Sequence, residues 1–338
     1  MRLVGAARLR WRRAVPFVGA IGAKLLLLVA LALVALALAA CRLAAADADR
    51  VAVVPLPASD VPARFGQLEV IAAYELRSGD RHFGGISAAR FDGSRLLLLS
   101  DRSRLFTLEW PERAPAGAFA VPMTSSGRLT DGSGRQLDAE ALAIAADGRM
   151  LVADEGGSRI YAFEAGGSRR GASVWRLPTA FAAGAAENRG VEALASLADG
   201  GLLAVGEGPD GPPGSHPAAI RSQTGELRVG DYLGDPSLDP ADAAVAGSSL
   251  LVLERGISLL AGWRVRIVAV PVGDLGSGTG FVLTGRELAT ISGRGVGENY
   301  EGLAVRADPD GAFRLYLVAD DNFSPFQRTL LLELRWRP

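Results

Sequence analysis

The chain has 338 residues, with 36 basic against 37 acidic side chains, 42 glycines, two histidines and one cysteine. A total this close to neutral, with no basic cluster beyond the N-terminal stretch, excludes general nucleic-acid binding. One cysteine excludes an internal disulfide, two histidines exclude a three-histidine zinc site, and glycine without a period of three excludes collagen.

Arg2, Arg8, Arg10, Arg12 and Arg13 precede "LLLLVALALVALALAA", an unbroken apolar run from Leu25 to Ala40. A basic start followed by an apolar core is the layout of an export signal. "LAAC", Leu38 to Cys41, has the form of a bacterial lipoprotein processing box, in which the cysteine is lipidated and becomes the first mature residue. The alternative is a retained transmembrane anchor, since Ala14 to Ala40 exceeds the roughly 20 residues of one crossing. Either reading leaves the rest of the chain exported, in the cell envelope or periplasm and tethered to a membrane, an orientation with which the positive flank agrees. Residues 1–41 carry six basic residues and no acidic one, so removing them moves the formal charge from -1 to -7.

Residues 42–65 read as a tether and first strand. Beyond them, glycine-rich turns separate short apolar runs: "SRLLLLSD" (Ser94 to Asp101), "GRMLVADE" (Gly148 to Glu155), "GGLLAVGE" (Gly200 to Glu207), "SSLLVLER" (Ser248 to Arg255) and "FRLYLVADD" (Phe313 to Asp321). Apolar runs of four or five residues bounded by Gly and Asp are buried strands, too short for helices. Their closing carboxylates, Asp101, Glu155, Glu207, Glu254 and Asp320, recur about every fifty residues, the size of a four-stranded propeller blade.

A second signature precedes the first. "LDAEALAIA", "NRGVEALASL" and "NYEGLAV" place Glu140, Glu192 and Glu301 ahead of an apolar pair, and Ser87 fills the same slot in "GGISAARFDGS". The unit reads as strand, Gly/Asp turn, strand, polar turn and a third strand such as "RLFTLEW" or "RIYAFEA". Residues 66–338 are therefore expected to form a single all-β propeller of six four-stranded blades, five and seven being the neighbouring solutions. The stretch from Arg264 to Thr290 is poorly marked, and "DPADAAVAG" (Asp239 to Gly247) reads as a turn or two of helix. Ring closure is expected to bring "VAVVPLP" beside the final "RTLLLELRW".

Equivalent positions of successive blades meet around one axis. The carboxylates at Glu140, Glu155, Glu192, Glu207, Glu254, Glu301 and either Asp320 or Asp321 are therefore expected to converge at one end of the channel. Like charges so close repel and raise one another's pKa unless compensated. Calcium, which takes six to eight oxygen ligands, is one compensator. Arginine is the other, and Arg102, Arg159, Arg189, Arg255 and Arg328 lie near these acids in sequence. His82 reads as a rim residue. Neither a G-x-S-x-G elbow, nor a Walker loop, nor a dinucleotide fingerprint is present.

From about Leu68 to Leu334 these motifs, with the final Asp321, Asn322, Phe323 and Gln327, resemble the phytase-like domain family described as having esterase-like activity. The resemblance implies an exported β-propeller distantly related to calcium-dependent phytases, with the family's acids, which would hold the metal, falling on Asp101, Glu140, Glu155, Glu192, Glu207, Glu254, Glu301, Asp320 and Asp321 and Arg255 following in "LER". It implies a calcium-assisted hydrolase of phosphate esters or other esters acting on a small molecule as a monomer. In that reading Glu192, Glu207 or Glu301 is the base, and Arg189 and Arg255 steady developing negative charge. The competing expectation is a non-catalytic propeller that uses calcium or Arg–carboxylate pairs to hold its blades together in the envelope.

Overall fold

In the computed structural model the described residues are 47–338, except 156–157, 165–167, 179–180, 182–189, 209–211, 259, 276–279 and 294. The expected export signal and Cys41 lie outside them. Residues from Ala46 to Pro338 form one compact unit.

Three strands open it: β1 (Arg50–Pro55), β2 (Arg64–Phe65) and β3 (Leu68–Ser78). Blade I is β4 (Ile86–Asp92), β5 (Arg95–Ser100), β6 (Arg104–Glu109) and β7 (Phe119–Arg128), followed by the short β8 (Thr130–Asp131). Blade II is β9 (Ala139–Ile144), β10 (Met150–Asp154), β11 (Arg159–Phe163) and β12 (Arg170–Arg176). Blade III is β13 (Val191–Ser196), β14 (Leu202–Gly206), β15 (Ser215–Arg221) and β16 (Leu227–Leu233). Blade IV is β17 (Asp239–Ala246), β18 (Ser249–Ser258), β19 (Gly262–Pro271) and, after β20 (Gly280–Leu283), β21 (Arg286–Ser292). Blade V is β22 (Asn299–Ala307), β23 (Phe313–Asp320) and β24 (Leu330–Trp336), completed by β3.

The first hairpin of every blade turns on a glycine with positive φ: Gly93, Gly148, Gly200, Gly247 and Gly311, between 59° and 83°. Glycine adopts that left-handed conformation without strain, which is why the turns recur with the strands. The innermost strands β4, β9, β13, β17 and β22 each pack against the next, and β22 packs against β4. The ring is thereby closed.

Four expectations change. The described strands make five blades, not six, because the fifty-residue count assigned to a blade residues that serve elsewhere. β1 and β2 are additions to blade V's edge, and β20 pairs in parallel with β16 at the outer edge of blade III. The weakly marked stretch from Arg264 to Thr290 is thus the outer half of blade IV with one strand lent to its neighbour. "DPADAAVAG" is no helix: Asp239–Ala246 is an innermost strand buried along most of its length, where inter-blade packing overrides alanine's helical preference. Finally, "VAVVPLP" does not lie beside the last strand. β24 pairs with β3, and β1 lies outside β3, where it also pairs with β7. The outer edges of blades V and I are stitched into one sheet, leaving no open edge at the closure point.

The apolar runs fill the spaces between blades. Leu303, Leu315, Leu317, Leu332 and Leu334 of blade V meet Leu251, Leu253, Val265 and Ile267 of blade IV, all fully buried. Each such side chain contributes about 1.5–3 kcal/mol on burial.

Candidate functional site

All five innermost strands carry a β-bulge at the same level, at Ser87, Glu140–Ala141, Glu192, Ala241 and Glu301. A bulge puts two residues opposite one and re-aims the extra side chain. One rung further out lies a second tier. Asp101, Glu155 and Glu207 donate their backbone N–H to the carbonyls of Gly85, Asp138 and Gly190, while Arg255 and Asp320 stand opposite Asp239 and Asn299. The mouth of the propeller is therefore two rings of five positions. The inner holds Ser87, Glu140, Glu192, Ala241 and Glu301; the outer holds Asp101, Glu155, Glu207, Arg255 and Asp320. Blade IV breaks the pattern, with alanine in place of an acid and arginine in place of a carboxylate.

This register corrects one candidate. Glu254 lies one residue before the tier, so strand alternation turns it to the other face. There it accepts from Tyr232 Oη at 2.5 Å and Arg266 Nε at 2.5 Å, wholly buried, with its charge already compensated. Asp321 is also engaged elsewhere, its carboxylate accepting from the N–H of Gly85 and Phe323 and from Thr329 Oγ1. It pins the Asp-Asn-Phe turn to blade I. Of the candidate arginines among the described residues, Arg255 is the one ion-paired with a mouth carboxylate, its Nε 3.0 Å from Glu301 Oε1. Arg102 stacks on Phe323 at 3.4 Å, Arg328 pairs with Glu298, and Arg159 donates to Ser173. Arg189 lies outside the described residues.

Burial pushes the carboxyls of Glu140 and Glu192 well up, and the neighbouring acids add to it: Glu192, Glu301 and Glu155 for the first, Glu207 for the second, with Arg255 opposing. Glu301 is raised by burial, against which Arg255 and the Asn299 amide (Nδ2 to Oε1, 2.7 Å) both work. Asp320 is pushed up to about 8 by burial and then by Glu301. Burial also raises Asp101 and Glu155. Burial works against the charge on Arg255, yet Glu301, Glu192 and Glu207 more than offset it and hold the guanidinium ionised.

On the blade II side, one carboxylate oxygen from each of Asp138, Glu140 and Glu155 lies within 4.8 Å of the others. Asp138 was not anticipated. It immediately precedes its strand, and its counterparts Gly85, Gly190, Asp239 and Asn299 are too varied to read as a repeat. The carboxylate of Glu155 also needs Gly190, where an added Cβ would fall 2.4 Å from Glu155 Cγ.

Below the carboxylates, the channel is closed by a pair that sequence reasoning missed. Arg90 of blade I grips both oxygens of Asp242 of blade IV at 2.7 Å and donates to the carbonyls of Leu194 of blade III and Leu303 of blade V. Asp242 in turn accepts from the N–H of Leu303. No spacing signal marks this pair, because each residue occurs once.

A serine triad has no support. His82 meets Arg81 at the rim, whereas Ser87 Oγ donates to the carbonyl of Ala139 at 3.1 Å in the interior.

The described strands and the site define an all-β fold of the β-propeller type with a buried carboxylate mouth. Residues 81–323 match the family model "Phytase-like: Esterase-like activity of phytase", and the chain belongs to that family. No curated protein matches it. Among solved structures, a Myxococcus xanthus glutaminyl cyclase is 12% identical at a TM-score of 0.41, covering 79% of this chain and 95% of its own. A Xanthomonas campestris gluconolactonase is 12% identical at 0.42, covering 85% and 97%. A luciferin-regenerating enzyme is 9% identical at 0.43, covering 79% and 94%. The propeller architecture stands on this chain's own strand pairing.

Proposed function

We propose that the protein is an exported, membrane-tethered hydrolase of phosphate esters or other esters that works with calcium held at the mouth. The observation that carries this reading is the two-tier ring of carboxylates with a single arginine. The donor set fits calcium: all oxygen, several carboxylates, and no soft ligand. Asp138, Glu140 and Glu155 would hold the ion, with Glu192 and Glu207 adjoining. The fit is supported by one oxygen of each of the first three lying within 4.8 Å of the others, with the buried Glu192 carboxyl near enough to raise that of Glu140. When bound, calcium would polarise an ester oxygen and acidify a coordinated water.

The chain's own groups supply the rest. Glu192, with its pKa raised by burial, suits proton transfer better than an ordinary carboxylate does. Arg255, in the neighbouring blade and held ionised by Glu301 and Glu192, is placed to steady an anionic oxygen. Ala241 leaves blade IV without an inner-ring carboxylate, so an anionic or polar ester meets least repulsion beside Arg255. The test is hydrolysis of phosphomonoesters, phosphodiesters and short-chain aryl esters with calcium and with chelator. Turnover abolished by chelator and restored by calcium is the expected result. Calcium-dependent melting without turnover on any of the three classes would instead establish a non-catalytic, calcium-stabilised propeller. Mass spectrometry of the native N-terminus should show cleavage before a lipidated Cys41; an intact Met1 would make the apolar run a permanent anchor.

A further inference from the structure

We infer that the β18–β19 hairpin is a membrane-docking element that seats the mouth face of the propeller on a lipid bilayer. In blade IV the two strands continue past Arg255 by three more rungs, Gly256 with Arg264, Ile257 with Trp263 and Ser258 with Gly262. The hairpin therefore projects beyond the tier of carboxylates. Hairpin turns are ordinarily built from Asn, Asp, Gly and Ser. This one reads Leu-Leu-Ala-Gly between Ser258 and Trp263.

Leu260 is completely exposed and Ile257 is 67% exposed. Ser258 Oγ accepts from the backbone N–H groups of Leu260 and Ala261, which ties these two tip residues to the end of β18. Trp263 is half-buried one rung below the tip, at the depth where an indole suits a water–lipid boundary. On the same face, the loop after β23 of neighbouring blade V raises Phe326, 93% exposed. Two apolar projections from adjacent blades thus stand on the mouth face.

The choice of a bilayer as occupant rests on the chain that precedes the propeller. The apolar run ending at Ala40 is separated from Asp47 by six residues. Seven peptide units span about 25 Å at most. A domain of about 290 residues has a radius of gyration near 19 Å, so its diameter exceeds that reach. Resting on the membrane tether proposed above, this reach keeps the start of the propeller within about 25 Å of the headgroups, close enough for a projecting hairpin to meet them. Residues 42–338 carry a formal charge of -7, so no electrostatic attraction to anionic lipid is available. Contact through apolar tips alone makes the docking tolerant of salt and suited to zwitterionic lipid.

The test uses the full chain in phosphatidylcholine vesicles whose acyl chains carry bromine, a contact quencher of tryptophan. Trp110, Trp175 and Trp336 are buried and serve as internal controls, while Trp11 is common to all variants. The expected result is a quenched component that disappears in Trp263→Phe. It should fall several-fold in Leu260→Ser and Ile257→Ser, whose exposed positions leave the fold unaffected, and should be unchanged by added salt. Equal quenching of wild type and Trp263→Phe would overturn the inference. So would loss of a homodimer on Leu260→Ser, seen by sedimentation, which would assign the tip to a second copy of the chain.

Discussion

Arg255 meets Glu301 at 3.0 Å in a mouth whose other charged positions are carboxylates, and Glu140 and Glu192, raised well above the ordinary range, carry a large share of the unrelieved repulsion. Glu301→Gln keeps the shape and the Asn299 contact while removing one charge. It should leave the fold nearly intact, weaken calcium binding about tenfold or more, and lower turnover in parallel; unchanged calcium affinity by titration calorimetry would remove Glu301 from the site. The same crowding sets a pH dependence. A carboxyl whose folded pKa lies above its unfolded value contributes stability that is fully present at low pH and lost as pH rises to the folded value. Asp320 titrates near 8, with Glu140 and Glu192 also raised. Calcium-free protein should therefore melt at progressively lower temperature between about pH 4 and pH 8. Added calcium should restore more stability the higher the pH, because its ligands must first be deprotonated. A calcium-free melting temperature that climbs over that interval would show that the mouth acids are not buried against one another.

At the scale of strands and turns, the blades were legible because apolar runs and turn glycines repeat, and both are local properties of the chain. The aim of the side chains was not. The bulges at Ser87, Glu140–Ala141, Glu192, Ala241 and Glu301 add one residue to a strand without any residue type that announces it, and the simple alternation expected of these strands fails at that point. Glu254 was misplaced for a related reason: its spacing differs from that of Arg255 by one residue, which a fifty-residue period cannot resolve but a pleated strand does. Leu142, Leu194 and Leu303, two residues beyond the mouth acids, are fully buried between blades, so the leucine of each motif is structural. Leu303→Ala should cost about 2–5 kcal/mol in urea unfolding. Glycines divide in the same way. Gly93 and Gly85 have nearly the same φ, 59° and 60°, but an added Cβ meets open space at Gly93 and falls 2.2 Å from Phe323 and 2.6 Å from Asp101 at Gly85. Gly93→Ala should lose only the roughly 1–2 kcal/mol of a left-handed alanine. Gly85→Ala should lose more, and should also disturb the mouth, as calcium titration would register. Equal losses would mean that the Phe323 turn yields freely.

At the scale of the whole molecule, ring closure is achieved twice, at the rim by β1 between β3 and β7 and at the axis by Arg90 and Asp242. The axial closure was invisible in the sequence because a single arginine and a single aspartate, 152 residues apart, have no periodicity to betray them. It is nevertheless what joins blades I, III, IV and V below the carboxylates. A buried ion pair is seldom better than an apolar pair of the same volume, but a broken one leaves a charge with no solvent and no partner. Arg90→Met should strand the Asp242 carboxylate, which is wholly buried, and cost about 3–5 kcal/mol of unfolding free energy. Arg90→Lys should recover little of that, since an ammonium cannot reproduce the planar fork that serves both Asp242 oxygens and carbonyls of flanking blades. The double variant Arg90→Met with Asp242→Leu separates the two causes. If desolvated charge is the main cost, the double variant regains most of the stability while the five blades stay in place. If it remains as unstable as Arg90→Met alone, the directional hydrogen bonds to Leu194 and Leu303 are what hold the inner strands in ring order, and the axis is a keystone in geometry as well as in charge.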